Sequence, residues 1–212
     1  MPPPAVDNSS SLEDLLQQAK AGDRESLGKL LEAYQNYLRL LAQTQLDDQL
    51  RSRLSPSDIV QETMLEAHCD FPQFRGNSDS EFFGWLRRIL ANNLARAVEQ
   101  HILTAKRDVR REVSRVQLDA SLDHSAMRIE AILADHGSPA DSHVSLQEQL
   151  VRLANALVKL TPDHRDVIVF RHFEGLPFAD VAKRMNRSSG ATRMLWLRGI
   201  EQLRHWMKER EH

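Results

Sequence analysis

The apolar positions of the chain repeat in helical period almost throughout. Leu27, Leu30, Leu31, Tyr34, Leu38 and Leu41 recur every three or four residues, which places them on one face of a helix. Ile59, Val60, Thr63, Met64 and Ala67 form a second such stripe, and Phe82, Phe83, Trp85, Leu86, Ile89, Leu90 and Leu94 a third. Leu146, Leu150, Leu153, Leu157 and Leu160 form a fourth. Helix punctuation falls between the stripes. Ser10-Ser11-Leu12-Glu13 can form a capping box that opens a short helix ended near Gly22, and Asp23 can cap the next. Ser55-Pro56-Ser57-Asp58 supplies an N-cap, a proline at the first helical position and a carboxylate in the first turn, and Phe71-Pro72 stops that helix. Thr161-Pro162-Asp163-His164 opens a helix that runs to about Phe173, with Gly175 as its stop. Strand signals are nearly absent, and the one β-branched cluster, Val167-Ile168-Val169, sits inside this helical segment. The pattern predicts an all-α fold.

The period fails in two places. Residues 1–9 hold three prolines followed by polar residues and read as a disordered tail. Residues 104–145 begin with TAKRDVRREVSR, which could prolong a helix, but LADHGSPADSHVS is small, polar and broken at Gly137 and Pro139. The expected organisation is therefore a helical domain over 10–103, a flexible linker over 104–145 and a second small helical domain over 146–212.

Composition narrows the chemistry. Of 212 residues, 41% are hydrophobic and 27% charged, so a buried core is within reach. The single cysteine, Cys69, excludes an internal disulfide and a cysteine-built zinc site, and is expected to be a buried thiol. The nine histidines are dispersed, and the chain has no HExxH, no paired-carboxylate box and no glycine-rich phosphate loop. We therefore expect no metal and no cofactor. No apolar run approaches the roughly 18 residues a membrane span needs, and MPPPAVDNSS lacks a basic and apolar leader. The expectation is a cytoplasmic protein without membrane insertion.

Net charge is −2, which argues against a nucleic-acid partner until its distribution is considered. Residues 12–86 carry seven bases and thirteen acids, and residues 116–146 one base and five acids. Residues 87–115 carry eight bases against three acids, and residues 183–212 again eight against three. A solvated helix face accounts for any one such block. Two basic blocks separated by acidic sequence also make a two-point footprint on a polyanion.

The second basic block has internal structure. PFADVAKRMNRSSGATRMLWLRGIEQLRHWM reads as a helix of about eight residues, a tight turn and a longer helix. Ala182 is small where two helices must cross closely, and Asn186 tolerates a left-handed turn. Val181, Met185 and Leu195 would fill the joint core, and Ser188 would cap the second helix. A helix-turn-helix presents the start of its second helix to the major groove, and Arg187, Ser188, Ser189, Arg193 and Arg198 gather there. An ordinary helical hairpin with a basic surface remains the competing reading.

Taken together, DIVQETMLEAHCDFPQFRG (58–76), FFGWLRRILANNLARAV (82–98), LTPDHRDVIVFRHFEGLPFADVAKRM (160–185) and SSGATRMLWLRGIEQLR (188–204) resemble the sigma-70 family of RNA polymerase sigma factors, extracytoplasmic-function (ECF) type. The resemblance covers both domains in order, with a linker of suitable length. It implies a first domain that binds the minus-ten promoter element and core RNA polymerase, and a second that binds the minus-35 element. It places Asp58, Gln61, Glu62 and Glu66 on the face that docks on polymerase. Arg75, Asn77, Ser78, Trp85, Arg87, Arg88, Asn92, Asn93 and Arg96 would meet minus-ten DNA; Phe82 and Leu86 are expected in the core instead. Arg187, Ser188, Ser189, Arg193 and Arg198 would meet the minus-35 duplex. The implied partners are core RNA polymerase and promoter DNA, with room for an anti-sigma factor, and the protein is expected to be a monomer. Two departures stand out: Arg96 where many members are acidic, with Glu99 where many are basic, and Met194-Leu195-Trp196 in a stretch that is often polar and basic. Together they point to a divergent promoter preference or to a Leu195-Trp196 pair packed inward. The runner-up is a stand-alone helix-turn-helix regulator with a helical sensor or dimerisation domain; a pure interaction module is the third reading.

Overall fold

The computed structural model describes residues 11–46, 53–102, 120–122, 124, 127–128 and 145–208. The expected tail and most of the expected linker lie outside these residues. Among those described, the chain is helical and contains no strand. Ser11 caps α1 (Leu12–Lys20), and Asp23 caps α2 (Arg24–Gln45) by accepting from the backbone N–H of Glu25 at 3.0 Å. Ser55 caps α3 (Pro56–Asp70), with Pro56 in its first turn, and a 3-10 turn over Phe71–Gln73 ends it. The long α4 follows (Asp79–Ile102). In the second half, Ser145 caps α5 (Leu146–Lys159). Then come α6 (Pro162–Ile168), which widens into a π-helical turn over Val169–Phe173, α7 (Phe178–Arg184) and α8 (Ser189–Lys208).

The stripes read from the sequence are the buried faces. Leu30, Tyr34, Leu38 and Leu41 of α2, Val60 and Ala67 of α3, and Phe82, Leu86, Leu90 and Leu94 of α4 are all essentially inaccessible. An aromatic cluster closes one end of this bundle: Phe82 lies 5.5 Å from Phe74 and 5.8 Å from Tyr34 between ring centroids, and Phe71 meets Phe82 edge-on. The buried residues of the two halves form one continuous cluster, because α5 packs against α2 as well as against α8. Among the described residues, three hydrogen bonds cross this junction. The Leu12 N–H donates to Glu148 at 3.2 Å, Asn36 Nδ2 to Asn155 Oδ1 at 2.8 Å, and Ser145 Oγ to Asp79 Oδ2 at 2.8 Å.

Three expectations are corrected. The capping box of α1 is built one residue later, from Ser11 and Asp14, because the three-residue spacing from the true cap lands on the Asp14 carboxylate. Leu146 stands at the first position of α5 and is exposed, while Leu150, Leu153, Leu157 and Leu160 are buried. Cys69 is exposed rather than buried. Ala67 takes the inward direction of α3, and a residue two positions on points away from it, about 200° round the helix.

Packing in the second half is closest where α8 crosses α6. A Cβ on Gly199 would lie 3.2 Å from the backbone oxygen of His164 and 3.3 Å from Ile168 Cδ1. Gly190, nine positions earlier on the same helix, would meet nothing within 4 Å. Gly199→Val should therefore push α8 off α6 and cost about 1–3 kcal/mol in urea unfolding, whereas Gly190→Ala should leave stability unchanged or raise it by up to about 1 kcal/mol.

Candidate nucleic-acid interface

The two helices expected at the C-terminal end are present and meet through a tight turn. α7 and α8 are joined by a turn in which Asn186 takes a positive φ of 53°. The N–H of Arg187 donates to the carbonyl of Ala182 at 2.9 Å, and Ala182 is buried at the crossing. Ser188 Oγ accepts from the Ala191 N–H at 3.2 Å, and buried Thr192 returns its hydroxyl to the Ser188 carbonyl at 2.9 Å. Val181 fills the joint core, with Met185 and Leu195 partly buried against it. Trp196 is also turned inward: its Nε1–H donates to His172 Nε2 at 2.8 Å and its ring meets Phe178 edge-on.

That rotation of α8 leaves Ser189, Arg193 and Arg198 exposed. Arg193 rests its guanidinium over the Phe178 ring, 5.5 Å from the centroid. Arg187 is held in an ion pair with Asp163 at 2.5 Å, both partners being well exposed. Such a pair is worth little in water and can be exchanged for a phosphate.

In the first half the loop before α4 is anchored rather than loose. Lys20 Nζ donates to the Gly76 carbonyl at 2.7 Å and to Asn77 Oδ1, and Gln17 Nε2 donates to the Asn77 carbonyl at 3.1 Å. Glu81 accepts from the backbone N–H of Asn77 at 2.7 Å and of Ser78 at 3.2 Å, while Ser78 Oγ accepts from the Glu81 N–H. Gly76 is required by close approach, since a Cβ would lie 2.4 Å from the Phe74 ring. Arg75 projects from this loop and is exposed.

The loop separates two clefts. One, of about 550 Å³, is lined by Phe74, Glu81, Trp85, Arg87 and Arg88, and the buried Leu122 forms part of its wall. Trp85 packs on Phe74 and Phe82 at 5.2 and 5.6 Å, yet one side faces this cleft. Arg87 lies over the Phe83 ring at 5.4 Å. The other cleft, about 710 Å³, places Lys20, Arg24 and His68 beside Arg75. Lys20 and Arg24 were not singled out from the sequence, because they reach the loop from more than fifty residues away.

Not every expected residue joins this surface. Asn92 is half-buried along α4, but Asn93 is only 1% exposed and donates from Nδ2 to Thr63 Oγ1 at 3.3 Å, tying α4 to α3. Arg96 turns towards the outer face of α3, 3.2 Å from Glu62 and 4.0 Å from Glu66. That face presents Asp58, Gln61 and Glu62 to solvent, with Glu66 half-buried. Leu65 stands among them, 66% exposed, and the sequence reading had passed over it. The signal was available, since Gln61, Leu65 and Cys69 follow one another at four-residue spacing.

A sequence model described as ECF sigma factor matches residues 9–212. The chain belongs to the ECF sigma factor family. The RNA polymerase sigma factor CarQ of Myxococcus xanthus is 30% identical over 164 residues, covering 76% of this chain and 80% of that protein. The ECF RNA polymerase sigma-E factor of Haemophilus influenzae is 26% identical over 191 residues, covering 89% and 91%. The RNA polymerase sigma-H factor of Pseudomonas aeruginosa is 25% identical over 193 residues, covering 89% and 90%. The match spans both helical halves, so this sigma factor carries its helix-turn-helix and its anchored loop within one family frame, and its role is in promoter-specific transcription initiation. No helix among the described residues of the sigma factor is long and apolar enough to cross a membrane.

The anchored loop of the sigma factor is sensitive to acid. The backbone N–H groups of Asn77 and Ser78, with the Ser78 hydroxyl, hold the Glu81 carboxyl below its ordinary value of 4.5. A depressed carboxylate contributes stability that is complete above the unfolded value and is lost as pH falls through the folded one. The acid titration seen in the NMR signals of the Asn77 and Ser78 amides should therefore have its midpoint below the ordinary carboxyl value of 4.5. In Glu81→Gln those signals should hold one position across the same titration.

Proposed function

We propose that this chain binds core RNA polymerase through the outer face of α3 and directs it to promoters read at two points. In this reading α8 enters the major groove of the minus-35 duplex. The anchored loop at 74–80, with the cationic side of α4, receives the melted non-template strand of the minus-ten element. The observation that carries the reading is the exposed, capped start of α8 on a helix-turn-helix, with Ser189, Arg193 and Arg198 turned to solvent. Single-stranded DNA needs a cationic groove and a platform for an unstacked base. Arg75, Arg87 and Arg88 supply charge, and the cleft beside Trp85 offers an aromatic wall.

The polymerase face is proposed to combine Asp58, Gln61 and Glu62 with Leu65. An exposed leucine ringed by polar side chains is the pattern of an interface centre with a polar rim. Arg96 sits beside this face and belongs to its edge rather than to the DNA groove. An anti-sigma factor would compete most directly for the same surface. Monomeric behaviour is part of the proposal and is read out by the sedimentation of the free chain.

Reconstitution with core polymerase on promoter templates tests the reading: the chain should enable initiation, whereas a stand-alone regulator would not. Leu65→Ser combined with Asp58→Lys should weaken the polymerase complex at least about tenfold in a pull-down. Thermal stability should fall only by the roughly 0.3–1 kcal/mol that a first-turn carboxylate gives α3, because both side chains are otherwise exposed.

Arg193 and Arg198 are five residues apart and so point about 140° from each other. Arg193, nearer the start of α8, is placed to read a base edge and Arg198 to hold a phosphate. Across a randomised minus-35 library, Arg193→Ala should relax preference at one position at a cost of about 1–3 kcal/mol, and Arg198→Ala should lower activity about equally on all sequences.

A further inference from the structure

The outward side of α8 carries two large apolar side chains among its polar ones. Its inward side is set by Thr192, Gly199, Ile200 and Leu203, all buried, with Leu195 and Trp196 partly so. Opposite these, Gly190, Met194, Leu197 and Glu201 run along the solvent side at spacings of four, three and four. Met194 and Leu197 are each 51% exposed, and neither contributes to the core cluster. The two exposed arginines flank this strip. With about 100° per residue, Arg193 lies on one side of the Leu197–Met194 pair and Arg198 on the other.

Two large apolar side chains between two guanidinium groups fit a specific surface. The major groove of B-DNA is bounded by phosphates and displays one apolar group, the 5-methyl of thymine. Residues 183–212 carry eight bases against three acids, so the strip lies in a field that favours a polyanion over an apolar protein surface. Gly190 adds an independent sign. It is exposed, near the start of the helix, and a Cβ there would touch nothing, so internal packing does not require it. A helical glycine costs about 1 kcal/mol relative to alanine. Its missing side chain would leave room for the helix to approach another surface about one turn before Met194.

We propose that Met194 and Leu197 read thymine methyl groups, so that the minus-35 element preferred by this chain carries two thymines close together under the middle of α8. The inference rests on the reading that α8 enters the major groove. The two residues are separated by about 4.5 Å along the helix axis. That matches one to two base-pair steps of about 3.4 Å each. Arg193 then lies over one edge of this thymine pair and Arg198 reaches the phosphates on the other.

The test uses the holoenzyme, reconstituted from core polymerase and the full chain. A randomised minus-35 library first identifies the preferred element. Each preferred thymine is then replaced by deoxyuridine, which removes the methyl group and nothing else, and initiation is measured with the unaltered chain, with Met194→Ala and with Leu197→Ala. Expected are two neighbouring thymine preferences. Deoxyuridine at either should lower initiation by the unaltered holoenzyme about fourfold, the equivalent of one buried methyl group. One of these losses should vanish in Met194→Ala and the other in Leu197→Ala. Equal activity on thymine and deoxyuridine with the unaltered chain, at promoters that are otherwise well used, overturns the inference and leaves the proposed function standing. So does a loss in both variants that is the same on every sequence, which would assign the strip to a protein contact. Absence of initiation from every library member with the unaltered chain overturns the underlying reading of α8 itself.

Discussion

Burial of α5 on two sides is the interaction on which the arrangement of this molecule depends. Leu150, Val151, Leu153, Ala154, Ala156 and Leu157 are all buried, too many for a helix that covers a single neighbour. One side meets α2 and the other α8. The first half of the chain thereby gains an apolar partner for α2, and the helix-turn-helix gains a base against which α8 is seated. Lys159 reinforces that seat from the rim, its ammonium 4.4 Å from the centre of the Trp206 ring.

Once α8 is seated, its rotation decides which side chains face water. Gly199 against His164 and Ile168 leaves no freedom in that rotation, and the Trp196–His172 hydrogen bond fixes it from a second direction. The arginines then divide into two groups. Arg184 pairs with Glu174 and stacks on Phe170, both partners largely shielded, and works for the fold. Arg193 and Arg198 are left at the surface, where a charge is inexpensive to hold and available to a phosphate. The same division runs through the first half, where Arg96 faces the acids of α3 while Arg75 and Arg88 remain open.

Local order was legible in the sequence because it is decided locally. The caps at Asp23, Ser55 and Ser188, the left-handed turn at Asn186 and the inward stripes of α2 to α4 depend on residues within one or two turns. The helix-turn-helix was legible for the same reason. What escaped was decided by rotation or by distance. Asn93 looks like a groove residue by its type and family position, yet it follows Leu86 by seven residues and Leu90 by three, on the buried side of α4, where it ties to Thr63. Cys69 looks like a core thiol by type, and only the phase of α3 puts it outside. Lys20 and Arg24 join the loop at 74–80 through the packing of α1 and α2 on the bundle, which no spacing along the chain announces.

Among the described residues the junction between the halves has three hydrogen bonds, one from the Leu12 backbone N–H and two between side chains, and no ion pair. Any opening of the halves would have to break the apolar packing of α5 on α2, and only then would a closed-to-open equilibrium enter the affinity for a partner that needs them apart. A partner that grips both halves at a different separation selects the separated population. Its apparent affinity is the intrinsic one multiplied by that population, so that a population of about 1% weakens binding about a hundredfold. Loosening the junction at Asn155 and tightening the grip of either half would then be indistinguishable by titration, and distinguishable only by the distance between the halves in the free protein.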